Sequence, residues 1–165
     1  MRVYLFRHAD AVNVGEQGVG NDAVRMLSEK GRKQAKRMAR ALKGLGCAPG
    51  LVASSPLLRA RETAEIAARV LGHGREVELL DLLASGGDPE ELAGWLRKQT
   101  EESVMLVGHL PDLAEFGAYL LSRNTAISLS LRKAGVMCIA FEKNADPGRG
   151  TLEWLIQPEV LKALE

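Results

Sequence analysis

Four short apolar runs punctuate the chain, at residues 3–6, 51–53, 104–107 and 136–141. Runs of this length without alternation are the pattern of strands covered on both faces, as in a parallel sheet. Helical period fills the intervals. Across residues 28–45, Ala35, Met38, Ala39, Leu42 and Leu45 recur at steps of three and four, while Arg32, Lys33, Lys36, Arg37, Arg40 and Lys43 fall between them. That pattern predicts an amphipathic helix with a basic outer face. A second helix is predicted over about residues 56–71, with Ser55 as N-cap, Pro56 in the first turn and Gly72 just past the end. Residues 88–98 and 111–121 supply two more, the latter opening on Pro111. Near the end, Leu152, Trp154 and Ile156 alternate with Thr151, Glu153 and Leu155, as in a strand at a sheet edge. The turn residues Asn144, Asp146, Pro147 and Gly148 can fold that strand back, antiparallel, on the run before it. Strand alternating with helix predicts an α/β fold with a parallel sheet covered on both faces.

The 165 residues fit one domain with a sizeable core, spanning residues 1–165. With 22 lysines and arginines against 21 acidic residues, the net charge of +1 gives no overall reason to bind nucleic acid, so any basic function is local. No apolar stretch approaches the roughly 18 residues that cross a bilayer, and Arg7 cuts the first run too early for a signal peptide. Cys47 and Cys138 stand far apart with no CxxC or Cys/His spacing, which fits free thiols in a reducing compartment. A cytoplasmic protein with neither a nucleic-acid nor a membrane partner is expected; nothing in the sequence sets an oligomeric state.

Polar residues collect at the carboxyl ends of the predicted strands. The first run is followed by Arg7-His8, the second by Ser54-Ser55-Pro56-Leu57-Leu58-Arg59, and the third by Gly108-His109-Leu110-Pro111. In an open parallel sheet these ends share one edge, and ligands sit in the crevice there. Arg59 falls in the first turn of its predicted helix, where free N–H groups and the positive dipole end favour an anion. Arginine holds two phosphoryl oxygens with one planar fork. A neutral imidazole can attack phosphorus, and a second can stabilise the charge on the transferred group. The residue types fit covalent phosphoryl transfer. Ser54 and Ser55 read first as capping residues, since no GxSxG turn is present. His73, between two glycines, is expected to be an exposed bystander, and Arg61 and Glu62 to face solvent. Three histidines without ligand spacing predict no metal site.

In order and spacing these residues resemble the histidine phosphatase superfamily, also called phosphoglycerate mutase-like, and most of all its SixA-type phosphohistidine phosphatase branch. Arg7-His8-Ala9 stands for the family's RHG, Arg25-Met26-Leu27-Ser28 with Gly31 for R-x-L-T-x-x-G, Ser55-Pro56-Leu57-Leu58-Arg59-Ala60 for SPxxRA, and Gly108-His109-Leu110-Pro111 for GHxP. The resemblance implies a three-layer α/β/α sandwich with a mostly parallel central sheet and one antiparallel edge strand, and hydrolysis without a cofactor. It implies further that His8 is the nucleophile, that Arg7 and Arg59 clamp the phosphoryl group, that His109 is the second histidine on the phosphate, and that Thr63 supports the clamp. Ala9 departs from the family's glycine; at negative φ an alanine is harmless, and at positive φ it strains the pocket.

Superfamily members that release an alkoxide use a carboxylic acid, from a glutamate after the third strand or an aspartate directly after the second histidine. Here Ala84-Ser85-Gly86-Gly87 precedes Asp88, and Leu110 follows His109. General-acid help is worth about 10²- to 10⁴-fold to a poor leaving group, whereas a ring-protonated imidazole leaves as a neutral molecule. A phosphohistidine substrate on a histidine phosphotransfer protein is therefore the first expectation. A broad small-molecule phosphomonoesterase is the second, and a catalytically silent phosphate-binding module the third. Asp88, Asp10 and Asp112 are the candidate acids, with Asp88 first because Gly86-Gly87 offers it a hinge; Asp10 serves equally as a partner of the arginines or as a rim residue. The basic helix face reads as solvated surface or as a docking patch for an acidic phosphoprotein.

Overall fold

The computed structural model describes residues 1–164. In chain order the elements are β1 (Arg2–Arg7), α1 (Glu29–Gly44), β2 (Leu51–Ser54), α2 (Leu58–Leu71), β3 (Glu78–Leu79), a 3-10 turn (Asp81–Leu83), α3 (Pro89–Leu96), β4 (Ser103–Gly108), α4 (Asp112–Ser122), β5 (Val136–Ala140), β6 (Thr151–Ile156) and α5 (Pro158–Ala163). The strands form one sheet in the order β3-β2-β4-β1-β5-β6. β1, β2, β3 and β4 pair in parallel, β5 pairs antiparallel with β1, and β6 pairs antiparallel with β5. The expected antiparallel pairing at the edge is thus joined by a second, one strand further in. The run at residues 136–141 did not reveal it, because a strand buried on both faces reads as continuous apolar sequence whichever way it runs.

Side chains of successive strand residues divide between two cores. Tyr4, Phe6, Val52, Met105, Val107, Val136 and Cys138 pack with α1 and α2, while Val3, Leu5, Ala53, Val104, Leu106, Met137 and Ile139 pack with α3 and α4. This is the three-layer sandwich, and each fully buried Phe, Leu or Met contributes about 1.5–3 kcal/mol. Ala60, Ala64, Ala67 and Ala68 on α2 are buried against α1, small enough for the two helices to lie close.

Helix ends follow their local chemistry. Ser28 caps α1 by accepting the Gly31 N–H at 3.0 Å, and Asp88 caps α3 by accepting the Glu90 N–H at 2.8 Å. Gly72 closes α2 with φ of 75°, as expected of a glycine at that end. The start of α2 differs from expectation: it begins at Leu58, after Leu57, with no side-chain cap. Two short elements carry no sequence signal. β3 is a two-residue stub with both residues exposed, and α5 buries none of its six.

The chain moves outward from β1 through α1 and α2 on one face of the sheet and returns through α3 and α4 on the other. β1 and β4, adjacent and parallel, lie where the winding reverses, the place where open α/β sheets hold ligands.

Candidate active site

Strand register brings the two histidines together. Arg7 on β1 pairs with Gly108 on β4, so His8 and His109 leave neighbouring strands side by side, and the His8 N–H donates to the Gly108 carbonyl at 3.0 Å. Their ring centroids stand 5.0 Å apart, tilted by 52°. Both are nearly covered, His8 at 7% exposure and His109 at 3%. Arg7 and Arg59 face the same crevice edge, and their charges act on both rings.

His8 donates from Nδ1 to the carbonyl of Ala9 at 2.7 Å, which leaves the Nε2 lone pair free. Burial, aided by the charges of His109, Arg59 and Arg7 and opposed by the Ala9 carbonyl, pushes its pKa down to about 3. The ring is therefore neutral at working pH, the form that can attack phosphorus. Burial and Arg59 push His109 down to about 4, against the pull of Asp112 and Asp22. The Ser55 hydroxyl accepts the Leu57 N–H at 3.2 Å and stands 2.8 Å from His109 Nε2. The hydroxyl hydrogen has no other acceptor among the described residues; donated to Nε2, it leaves the proton of the neutral ring on Nδ1.

The arginines are held from behind. Arg7 Nη1 donates to the Leu131 carbonyl at 2.9 Å; Arg59 donates from Nη1 to the Asp22 carbonyl at 2.9 Å and from Nη2 to its carboxylate at 3.1 Å. Among the described residues, the buried side-chain nitrogens with no hydrogen-bond partner are Arg7 Nε, Arg59 Nε, His109 Nδ1 and His73 Nε2. Three of these four belong to the crevice residues. Buried donors are rarely left unpaired, and a tetrahedral oxyanion beside His8 would supply the missing acceptors.

Thr63 ties the loop after β1 to the helix that carries Arg59. Its hydroxyl donates to the Arg59 carbonyl at 2.7 Å and accepts the Ala9 N–H at 3.1 Å. Ala9 is fully buried and is not among the residues with positive φ, so its Cβ packs in the core and strains nothing. Replacing it by glycine is expected to cost about 1 kcal/mol, from the lost methyl and the freer unfolded chain, with turnover within about threefold of the parent; thermal unfolding and steady-state kinetics check both. Ala134, at φ 60°, turns its N–H toward the carbonyls of Arg7 and His8, 3.2 Å from each, and so closes the end of β1.

Several expectations change. Asp10 does not reach the arginines: its carboxylate takes Lys133 Nζ and the Ser28 hydroxyl, each at 2.8 Å, and Lys133 and Ser28 hold its pKa below the usual carboxylate range despite burial. Asp88 is spent on the N-cap of α3. Asp112 accepts the Gly86 N–H at 2.9 Å and, with Asp88 and His109, lines a cavity of about 10 Å³. Ser55 serves His109 rather than capping α2. Glu62, expected in solvent, is 18% exposed and ties three segments, accepting the Leu27 N–H at 2.6 Å and pairing with Arg32 at 2.9 Å. Arg61 is exposed as expected. His73 is half-buried, with Nδ1 3.1 Å from the Pro49 carbonyl. Asp22, which anchors Arg59, had no signal, since the loop around it lacks any period. No helix among the described residues is long and apolar enough to cross a membrane.

Residues 3–92 match the model of the histidine phosphatase superfamily (branch 1). The chain is 30% identical to phosphohistidine phosphatase SixA of Escherichia coli K12, covering 98% of this chain and 97% of that one. It is 36% identical over 83% of both chains to an uncharacterised protein of Picosynechococcus. A solved structure of the protein histidine phosphatase SixA with tungstate superposes with a TM-score of 0.86 at 27% identity, covering 98% of this chain and 99% of that one. The chain belongs to the histidine phosphatase superfamily and is a phosphatase, a hydrolase of phosphoryl groups.

Proposed function

We propose that the protein removes the phosphoryl group from phosphohistidine on a cytoplasmic phosphotransfer protein, through a covalent phosphohistidine on His8. The observation that carries this reading is the set of unpartnered buried donors, Arg7 Nε, Arg59 Nε and His109 Nδ1, gathered around a neutral imidazole. In this mechanism the arginines hold the equatorial oxygens, His109 presents its Nδ1–H to the phosphoryl group beside the leaving atom, Nε2 of His8 attacks phosphorus, and water then cleaves the intermediate. The name of the Escherichia coli relative and the tungstate in the SixA structure agree, tungstate being a tetrahedral oxyanion like phosphate. Asp10 and Asp88 are both engaged elsewhere, which favours a leaving group that departs without a carboxylic acid.

A protein substrate is supported by the surface beside the crevice. The N-terminal turns of α1 adjoin Asp10, whose N–H donates to Gln34 at 3.2 Å. From there a groove of about 1110 Å³ runs between α1 and α5; among the described residues it is lined by Lys30, Lys33, Lys36, Arg40 and Lys162, with Glu29 and Glu159 also at its wall. An acidic phosphoprotein fits that charge. Lys36→Glu with Arg40→Glu is expected to raise KM for such a substrate about tenfold at low ionic strength and less at high salt. Turnover of p-nitrophenyl phosphate, which is too small to reach the groove, stays within about twofold.

The reading is tested by offering the purified protein a phosphohistidine-bearing protein and p-nitrophenyl phosphate. A kcat/KM much higher for the first is expected. Equal or higher values for the ester would favour a broad phosphomonoesterase, and binding of phosphate without turnover of either would favour a silent module.

A further inference from the structure

One buried acceptor matches the unpaired donors. Oδ2 of Asp112 is buried with no partner, as is Nδ1 of His109. The two residues stand three apart across the turn that opens α4, where the Leu113 N–H donates to the His109 carbonyl at 2.9 Å. Asp112 is fixed in place because Oδ1 takes the Gly86 N–H at 2.9 Å. The cavity of about 10 Å³ that both residues line is walled by Leu83, Gly87, Leu113 and Phe116, and it has room for one water at most. A carboxylate oxygen in such a place is poorly hydrated, so its charge is felt strongly by its neighbours.

The groups facing His109 come from every element around it. Arg59 on α2 and Arg7 at the end of β1 oppose a proton on the ring, Asp22 in the loop before α1 and Asp112 on α4 favour one, and neutral His8 stands alongside. Asp88 lines the same cavity. Asp22 is already bonded to Arg59 and Arg25. When a phosphoryl dianion takes up the charge of the two arginines, Asp112 becomes the carboxylate that decides whether His109 can hold a second proton.

We propose that Asp112 is a positioning residue for His109, supplying the counter-charge that lets His109, rather than a carboxylic acid, deliver the leaving-group proton. This rests on the reading of His8 as the nucleophile. In the first step a bond forms between His8 Nε2 and phosphorus as the bond to the leaving atom breaks, and the His109 proton passes to that atom. In the second, the oxygen of water bonds to phosphorus, the His8–phosphorus bond breaks, and the proton from water returns to His109. One water is consumed and the enzyme is restored.

The test compares wild type, Asp112→Asn and Asp112→Glu on phenyl phosphate, whose leaving group needs a proton, and on p-nitrophenyl phosphate, whose leaving group does not. Asp112→Asn is expected to lose at least about tenfold more kcat/KM on the first than on the second. The high-pH limb of its kcat profile should also move down by about half a unit or more, and Asp112→Glu should recover part of both. Equal losses on the two esters with an unmoved pH profile would overturn the proposal, as would no loss at all. Thermal unfolding establishes that each variant folds; should Asp112→Asn fail to fold, the ratio and profile of Asp112→Glu decide by the same criteria. His8→Ala is measured alongside. If it keeps turnover, the reading of His8 falls; if it is dead while Asp112→Asn shows no leaving-group effect, only the role of Asp112 falls.

Discussion

His8→Ala is expected to lower kcat by at least about 10⁴-fold on any phosphorylated substrate, since removing a nucleophile abolishes the covalent route and leaves only binding and charge stabilisation. Each tenfold corresponds to about 1.4 kcal/mol of barrier, so the loss is about 5.5 kcal/mol or more. The expectation follows from the state of this ring. His8 Nδ1 is committed to the Ala9 carbonyl at 2.7 Å, and burial holds its pKa down at about 3, so Nε2 keeps a free lone pair throughout the physiological range. The variant should still bind inorganic phosphate, because Arg7, Arg59 and His109 are held by partners other than His8: Leu131, Asp22 and Ser55. Steady-state kinetics and phosphate titration on the same preparation separate the two. Lost binding together with lost turnover would mean that His8 builds the site rather than acting in it.

Gly31→Ala is expected to destabilise the protein by about 3 kcal/mol, at the upper end of overpacking costs, and to lower the midpoint of thermal unfolding by about 6–12 °C. A Cβ at Gly31 would stand 1.9 Å from the Asp10 carbonyl oxygen and 2.8 Å from its carbon. These are backbone atoms, so no side chain can swing aside. The same carbonyl accepts the Ser28 N–H at 3.0 Å, and the Asp10 side chain is pinned by Lys133 and Ser28. Moving it would pull on Ala9 and on the His8 backbone directly before it. Turnover should therefore fall along with stability, whereas a surface substitution on α1 would change neither. Differential scanning calorimetry with kinetics well below the transition checks both parts; an unchanged midpoint would show that the α1 terminus is freer to shift than its contacts imply.

The buried strands and the polar strand ends were legible in the sequence, because burial on both faces leaves unbroken apolar runs and the first polar residues after each run mark an edge; the spatial order of the strands was not. Arg7, His8 and His109 stand out this way, Arg59 by its place in the first turn of the following helix, and Thr63 only through the family resemblance, just beyond the SPxxRA motif. What was not legible came from contacts between segments distant in the chain. Asp22 grips Arg59 across 37 positions, and Ser55 reaches His109 across 54. Glu62 closes on Leu27 across 35. Such pairings leave no period, since each is a single polar residue whose partner is chosen by the folded sheet. Ser55 was misassigned for the same reason: serine before proline at a helix start is locally a cap, and only the neighbouring β4 end supplies the histidine that claims it. The direction of β5 was hidden too, because a strand in a sheet interior is apolar whichever way it runs.

Covalent transfer to His8 is decided by locating the phosphoryl group during turnover. A phosphohistidine-bearing protein is mixed with the enzyme, quenched in alkali within the first turnover, and the enzyme is digested and read by mass spectrometry. The phosphoryl group is predicted on His8 alone, acid-labile, and absent from the His8→Ala variant. Dephosphorylated substrate with no phosphoryl group on His8 at any quench time, or a label that persists in His8→Ala, would contradict the account.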